Sequence, residues 1–540
     1  MGRSSWSGRV ASASRGAARA ALGVGIGVGI ALGLGLGLAP SAAAAAPAAH
    51  PNVVLILADD LGWADVGYHG GPIATPAIDR LAAEGVRLER FYSDPICSPT
   101  RAALLSGRDA LALGIAYDQI HPWYANGFPP DAYLVSDAFR AAGYQTAIVG
   151  KWHLGHSQAH QLPNARGFDF FYGHLHTQTD YYTHARAGGH DLQRDGKSVD
   201  DAGYLTHLER REAVRWLRER DKSRPFFLYL PFTAPHSPMQ APEATIAKYA
   251  ALPEQGYRRL YAAMVDEMDQ AIAEVLATLD TEGVARDTIV LFLSDNGGYN
   301  AYGGSNQPLR GEKGQTFEGG IRVPAVLRWP AGLPAGETRE QIVAASDVMP
   351  TLAAAAGVPL APPTPLDGED RWPALRANAP SPRGRPLFFV SEIPIPGVIH
   401  TAVLDPPWKL VQVLREQPTR IDVTQLLFRI DEDPNEQRDL AAEQPEVAAR
   451  LAASIAKWRS RHPMAGTRST LVPPPGWLPA RDWAEAVEPA ALVQPRWVNE
   501  LPFPKSLLDA TAQRGVLVDP ATRARLEAEE RERAQGWRSP

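Results

Sequence analysis

Cysteine is almost absent from this chain. One thiol, Cys97, stands in 540 residues, so no disulfide can form within it. Positive charge is not in excess either. The 54 Lys and Arg against 60 Asp and Glu leave a formal net charge of −6, which excludes the basic face that nucleic acid or an anionic membrane requires. Any anionic ligand must therefore be met by a few local cations. Long apolar runs are missing too, with one exception. "ALGVGIGVGIALGLGLGLAP" (21–40) follows Arg3, Arg9, Arg15 and Arg19 and precedes "SAAAAAPAA". A basic leader, an uncharged run and small-residue cleavage sites read as a secretory signal peptide over 1–46. Its alternating glycines make a poor spanning helix, which favours cleavage over a retained anchor. The expectation is an exported protein, periplasmic or secreted by a bacterium, with no stable membrane association after cleavage.

What is present is the composition of an ordinary globular protein, 45% hydrophobic and 21% charged. After the leader the chain is too long for one simple core. From Pro51 onward, strand-like runs alternate with helical patterns. "NVVLIL" (52–57), "YQTAIVG" (144–150), "PFFLYL" (225–230), "TIVLFL" (288–293) and "VPAVLRW" (323–329) read as buried strands. Helices are expected over 75–86 and 132–143. Over 257–280, Leu260, Met264, Met268, Ile272, Val275 and Leu279 fall on one helical face. Continuous aliphatic strands separated by helices imply an α/β fold, a mostly parallel sheet covered on both faces. The catalytic domain is placed at 47–386, its end marked by the proline-rich 360–386. A smaller α+β unit with an antiparallel sheet follows at 387–465. The tail 466–540, with "LVPPPGWLPARDW" and a charged helix near 520–536, carries few core signals and is expected to wrap the surface or stay partly disordered.

The chemistry gathers where strands end. "VVLIL" runs into Asp59–Asp60, "LFL" into Asp295–Asn296, "AIVG" into Lys151 and His153, and "FFLYLPFTAP" into His236. In open α/β sheets, ligands bind outside the carboxyl ends of the strands. Asp59, Asp60, Asp295 and Asn296 offer only oxygen, and neighbouring carboxylates would repel without a cation. Oxygen ligation selects Ca²⁺ or Mg²⁺ over zinc. Arg101, Lys151, His153, His236 and Lys313 beside such an ion suit a ligand with several charged oxygens, sulfate or phosphate.

An oxidising compartment normally calls for paired cysteines, so the lone thiol in "DPICSPTR" (94–101) needs a reason. It is inert, bridges two chains, or reacts. Pro99 suits the first position of a helix through "TRAALLSGR". Cys97 would then lie at the positive helix end, where a thiol is acidified and reactive.

These residues resemble the type I, formylglycine-dependent sulfatase family. "CSPTR" looks like its Cys-x-Pro-x-Arg signature, followed by "AALLSGR". "LADDLGWADVGYHG", "GKWHLG", "GFDFFYGHL", "SDNGG", "LRGEKGQTFEGGIRVP" and the late "DEDPNEQRDL" occur in the family's order, over 51–440. The likeness is strongest to arylsulfatases of the arylsulfatase B, or N-acetylgalactosamine-4-sulfatase, kind. It implies an alkaline-phosphatase-like fold, and oxidation of Cys97 to formylglycine (3-oxoalanine) by a formylglycine-generating enzyme acting on residues 97–101. By resemblance, Asp59, Asp60, Cys97, Asp295 and Asn296 hold Ca²⁺, or Mg²⁺ in its place. Arg101 fixes the hydrated aldehyde, one hydroxyl of which attacks sulfur to form a covalent sulfate ester. His153 takes the proton that drives sulfate release. Lys151 and Lys313 bind sulfate oxygens, and His236 protonates or orients the leaving group. The substrate is a sulfated small molecule or saccharide.

In one place the pattern is not matched. Where some sulfatases have a serine assisting the nucleophile, this chain reads "HLHTQTDYY", leaving His176, Thr177 or Gln178 as candidates. Three rival readings remain. A phosphonate or phosphodiester hydrolase would share the scaffold. An unmodified cysteine hydrolase would leave the oxygen ligands without a purpose. A non-catalytic sulfoglycan-binding protein would be expected to have lost the nucleophile or Arg101.

Overall fold

The computed structural model describes residues 50–253, 257–361, 365–393, 397–417, 420–461, 473 and 477–487. The expected leader, the helix near 520–536 and most of the tail lie outside them. Among the described residues no helix is long and apolar enough to cross a membrane.

Strand β1 (Asn52–Ala58) lies inside a ten-stranded sheet. Its side chains alternate between two cores: Val53, Leu55 and Leu57 enter one, Val54, Ile56 and Ala58 the other. That is why the run is apolar without a break. Helix α1 (Cys97–Ser106) follows and is buried along its whole length. Next come β2 (Gln145–Lys151), β3 (Phe170–His174), helix α2 (Leu205–Glu219), β4 (Phe226–Pro231) and helix α3 (Arg258–Thr281). Then come β5 (Thr288–Ser294), the short helix α4 (Glu318–Ile321) and β6 (Ala325–Arg328). On α3 the expected apolar face is buried except for half-buried Leu260.

The sheet centre runs β5-β1-β4-β2-β3, every neighbour parallel. Its flanks differ. β6 pairs antiparallel with β5 and with Val86–Leu88, and Gln193–Arg194 and Lys197–Ser198 extend the other side antiparallel. The sheet is therefore mixed: an apolar run such as "VPAVLRW" marks burial, not direction. The smaller unit is a four-stranded antiparallel sheet, β7 (Leu387–Ser391), β8 (Val398–Asp405), β9 (Trp408–Glu416) and β10 (Ile421–Arg429). Helix α5 (Pro445–Arg459) packs on it through Leu451 and Ile455.

Register matters most between β1 and β5. Ala58 stands opposite Ser294, so Asp59 and Asp295 leave the same edge side by side. Gly150, at φ +124°, lets β2 pass close to β4, because a Cβ there would lie 2.1 Å from the Pro231 carbonyl oxygen.

Behind this edge, α2 contributes Glu209, fully buried, with Oε1 accepting from Thr233 Oγ at 3.2 Å and Oε2 without a hydrogen-bond partner. Burial pushes its carboxyl up from 4.5 to about 8. The folded chain thus holds this proton where the unfolded chain has released it. Stability should fall as pH rises from about 4.5 to about 8. Replacing Glu209 by Gln should flatten the decline in Tm between pH 5 and 8; an unchanged slope contradicts this.

Candidate active site

The strand ends and helix α1 deliver the site. Asp59 Oδ2 lies 2.5 Å from Lys151 Nζ and 3.5 Å from Arg101 Nη2. Arg101 also reaches Asp295 Oδ2 from Nε and Nη2, at 3.1 and 2.8 Å, and donates to the Lys151 carbonyl at 3.2 Å. Asp60 accepts from Lys313 at 2.6 Å and from Asn296 Nδ2 at 2.7 Å, and His236 Nε2 lies 3.7 Å from its Oδ2. The Asp60 amide donates to Asp295 Oδ1 at 3.2 Å. The residues singled out from sequence around the metal and the anion therefore meet in one place. His153 stands beside them: its Nε2 faces the Ile120 carbonyl at 3.0 Å, and its carbonyl accepts from Ser98 Oγ at 3.1 Å.

Two of these residues sit in the left-handed backbone region, Asp60 at φ +69° and His153 at φ +58°. Such strain persists only where the surroundings over-determine it, and it concentrates at functional sites.

Can the residues hold a divalent cation? One ligand atom each from Asp59, Cys97 and Asp295 lies within 4.8 Å of the others, and the same holds for Asp59, Asp60 and His236. Asp59 Oδ1 and Asn296 Oδ1 are buried without a hydrogen-bond partner. Unsatisfied buried oxygens suit a hard ion. Repulsion between carboxylates is a weaker argument than the sequence suggests, because Lys151, Arg101 and Lys313 already pair with them. His236, read from sequence as a leaving-group residue, also stands within the ligand cluster.

Electrostatics follow from burial. It works to raise the Asp60 carboxyl, but Lys313 and His236 outweigh it and hold the group below its usual range. Burial and Asp59 push Asp295 up to about 6 against Arg101, Lys151 and Lys313. Burial and Lys151 drive His153 well below its ordinary value, and burial and Lys313 do the same to His236. Both shifts favour the neutral imidazole.

Cys97 departs from expectation. It is the first residue of α1, with Pro99 third rather than first. Pro in the first turn displaces no intrahelical N–H donor. The thiol is fully buried, and burial raises its pKa despite Lys151 and Lys313. As a thiol, then, Cys97 is not acidified.

Sequence reasoning misses the clamp behind Lys313. That residue's loop, 309–320, is tied to neighbours by Gly314 N–H to the Pro95 carbonyl (2.8 Å) and Lys313 N–H to Gly298 (3.3 Å). At its end, Glu318 pairs with fully buried Lys409 of β9 at 2.8 Å and accepts from Tyr92 OH at 2.9 Å. Lys409 also pairs with Glu436 at 2.9 Å, while Glu436 Oε2 accepts from the Glu318 amide at 2.7 Å and its carbonyl from Arg310 at 2.9 Å. The "DEDPNE" stretch thus grips both ends of the loop from the smaller sheet. Only the lysine inside "WKLVQVL" hinted at it, since a strand lysine in an apolar run needs an acidic partner.

Buried carboxylates paired with Arg101, Lys151 and Lys313, with two buried oxygens unsatisfied, thus meet at the carboxyl ends of a mixed α/β sheet. A family model described as Sulfatase matches residues 51–358, and the chain belongs to the sulfatase family, whose named relatives are sulfuric ester hydrolases. Mouse arylsulfatase J is 38% identical over 343 residues, 62% of this chain and 57% of that protein, so the match spans little more than half of that relative. Dog N-acetylgalactosamine-6-sulfatase is 35% identical, covering 63% and 68%; bovine arylsulfatase A is 32% identical, covering 74% and 85%. Among solved structures, Ps i-CgsB superposes with a TM-score of 0.70 at 33% identity, over 76% of this chain and 93% of that one.

Two outcomes are expected. Added Ca²⁺ should raise Tm over the chelated protein, by about 2.7 kcal/mol in stability at a hundredfold excess over Kd; no response to chelator contradicts the metal site. Glu436→Gln should lower kcat/KM roughly 10-fold in the parent but change it little in a Lys313→Ala background, because coupled residues are non-additive. Equal losses in both backgrounds would mean that Glu436 does not act through Lys313.

Proposed function

We propose that this protein is an exported sulfatase that hydrolyses an aryl or sugar sulfate ester and releases inorganic sulfate. The observation that carries the reading is the meeting of Arg101, Lys151 and Lys313 with Asp59, Asp60, Asp295 and Asn296 around the buried residue 97. Residue 97 would be present as formylglycine, which would supply the hydroxyl nucleophile for covalent catalysis at sulfur. Burial of Cys97, Pro99 and Arg101 supports modification before folding closes over the segment, by a formylglycine-generating enzyme meeting residues 97–101 during export.

The remaining roles belong to residues on the page. Asp59, Asp60, Asp295, Asn296 and residue 97 would hold a divalent ion, Ca²⁺ by oxygen ligation with Mg²⁺ as the alternative, which would supply Lewis-acid polarisation of the ester. Lys151 and Lys313 hold sulfate oxygens by charge-assisted hydrogen bonds. Arg101 fixes residue 97. His153 has Nε2 committed to a carbonyl and Nδ1 unpartnered, so its neutral ring is ready to accept a proton. His236 has Nδ1 facing the Ser237 carbonyl at 2.8 Å, which leaves Nε2 toward the site. That tautomer and its low pKa favour orienting the leaving group over protonating it. The domain limits proposed are 47–386 for the catalytic part and 387–465 for the smaller unit.

The substrate class follows from relatives. One is named for N-acetylgalactosamine 6-sulfate chemistry, and Ps i-CgsB was solved with k-i-k-neocarrahexaose; both favour a sulfated saccharide. Protein from a host carrying the modifying enzyme should turn over 4-nitrophenyl sulfate far better than the matching phosphonate or phosphodiester. Cys97→Ala should lose at least about four orders of magnitude in kcat. A preference for phosphorus, or a Cys97→Ala protein that retains activity, overturns the proposal.

A further inference from the structure

The stretch 477–487 lies beyond the residues matched by the family, yet it is tied to the rim of the site. Trp483 N–H donates to the His190 carbonyl at 3.0 Å, and His190 N–H to Arg481 at 2.9 Å. Trp483 Nε1 donates to the Arg186 carbonyl at 3.0 Å, and Asp482 accepts from Ser198 Oγ at 2.5 Å. The stretch thereby adds backbone to the hairpin 185–190. The buried Trp483 ring rests on His176 at 4.1 Å between centroids and meets His156 edge-on at 5.8 Å. Trp477 reaches the other side of the rim, edge-on to Trp123 at 5.7 Å, and Trp123 stacks on His121.

Both contacts lead to His153. Next to the hairpin, Asp191 accepts from the amides of Leu175 and His176 at 3.0 and 3.2 Å and from His176 Nδ1 at 2.7 Å. The Leu175 carbonyl accepts from the His153 amide at 3.1 Å. Just beyond, Thr177 Oγ donates to Gln119 at 3.0 Å, and Gln178 accepts from Ser237 Oγ at 3.4 Å, one residue from His236. On the other side, His121 and Trp123 belong to the loop whose Ile120 carbonyl meets His153. Residues 175–178 thus run from His153 to the leaving-group side. Leu175, His176 and Thr177 are buried, and what remains half-buried there is the amide side chains of Gln119 and Gln178, which match the hydroxyls of a sugar better than an aryl ring.

We propose that residues 477–487 form the outer wall of the leaving-group subsite. Trp483 is a positioning residue that holds His176, and through the 175–178 segment Gln178 beside Gln119, to meet the hydroxyls of a sulfated saccharide. The sulfate-ester part of this assignment rests on the function proposed above; the saccharide part rests on the half-buried amides of Gln119 and Gln178.

The test uses the full chain with Trp483→Ala and Trp483→Phe. Steady-state constants are measured on 4-nitrophenyl sulfate and on 4-O- and 6-O-sulfated N-acetylgalactosamine. Trp483→Ala should raise KM for a sulfated sugar by about 10-fold or more, the scale expected when a contact is displaced. Its kcat on that sugar, and both constants on the aryl ester, should stay within about twofold, and Trp483→Phe should restore the sugar KM because a planar ring suffices to cover His176. Equal losses on both esters with a lowered Tm, or no change on either, overturn the assignment. Binding of the same sugars to Cys97→Ala protein, with and without Trp483→Ala, is measured by calorimetry. If the parent hydrolyses neither ester, the hydrolase reading fails, while weaker sugar binding on loss of Trp483 still supports the wall. Equal binding, or no binding to Cys97→Ala, rejects it.

Discussion

Asp59, Asp60 and Asp295 are buried together with Arg101, Lys151 and Lys313 at the carboxyl ends of β1, β2 and β5. Burying charges is costly unless each is paired and hydrogen-bonded. Here every carboxylate touches at least one cation, so the balance is close to neutral without a metal. A divalent ion on the oxygens still unsatisfied would tip that balance positive. A local surplus of positive charge among buried groups would favour an anionic ester in a protein whose overall charge is negative. The in-register pairing of Ala58 with Ser294 creates this arrangement, and a one-residue slip would turn Asp59 away from Asp295.

Much of the remaining structure keeps these charges where they are. Arg101 projects from a helix buried along its whole length, which leaves its guanidinium little freedom. Lys313 lies on a loop that could move, and the smaller sheet holds it through Lys409 and Glu436. The C-terminal unit is thereby tied to the loop that carries Lys313. The same logic extends to the rim, where the stretch around Trp483 backs the loop between His153 and the leaving-group side.

Legibility from sequence divided along physical lines. The central strands were readable because parallel strands buried on both faces must be continuously apolar. Asp59, Asp60, Lys151, Asp295 and Asn296 stood out because polar clusters end those strands. Signals failed where burial or distant pairing decides. A thiol at a helix start reads as acidified, yet complete burial of Cys97 outweighs the nearby cations. Strand direction at the sheet flanks and two-residue strands such as Gln193–Arg194 leave no periodicity to detect. The Lys409–Glu318–Glu436 clamp joins residues far apart in the chain, and Trp483 sits in a segment without core pattern, so only the folded chain shows what either one holds.

The central claim is that Cys97 is the precursor of the nucleophile and not the nucleophile itself. Mass spectrometry of the peptide containing residue 97, from active protein made in a host with the modifying enzyme, tests it most directly. The account predicts the mass of an aldehyde in place of the thiol, in proportion to specific activity. An intact cysteine in protein that fully turns over sulfate esters would contradict it.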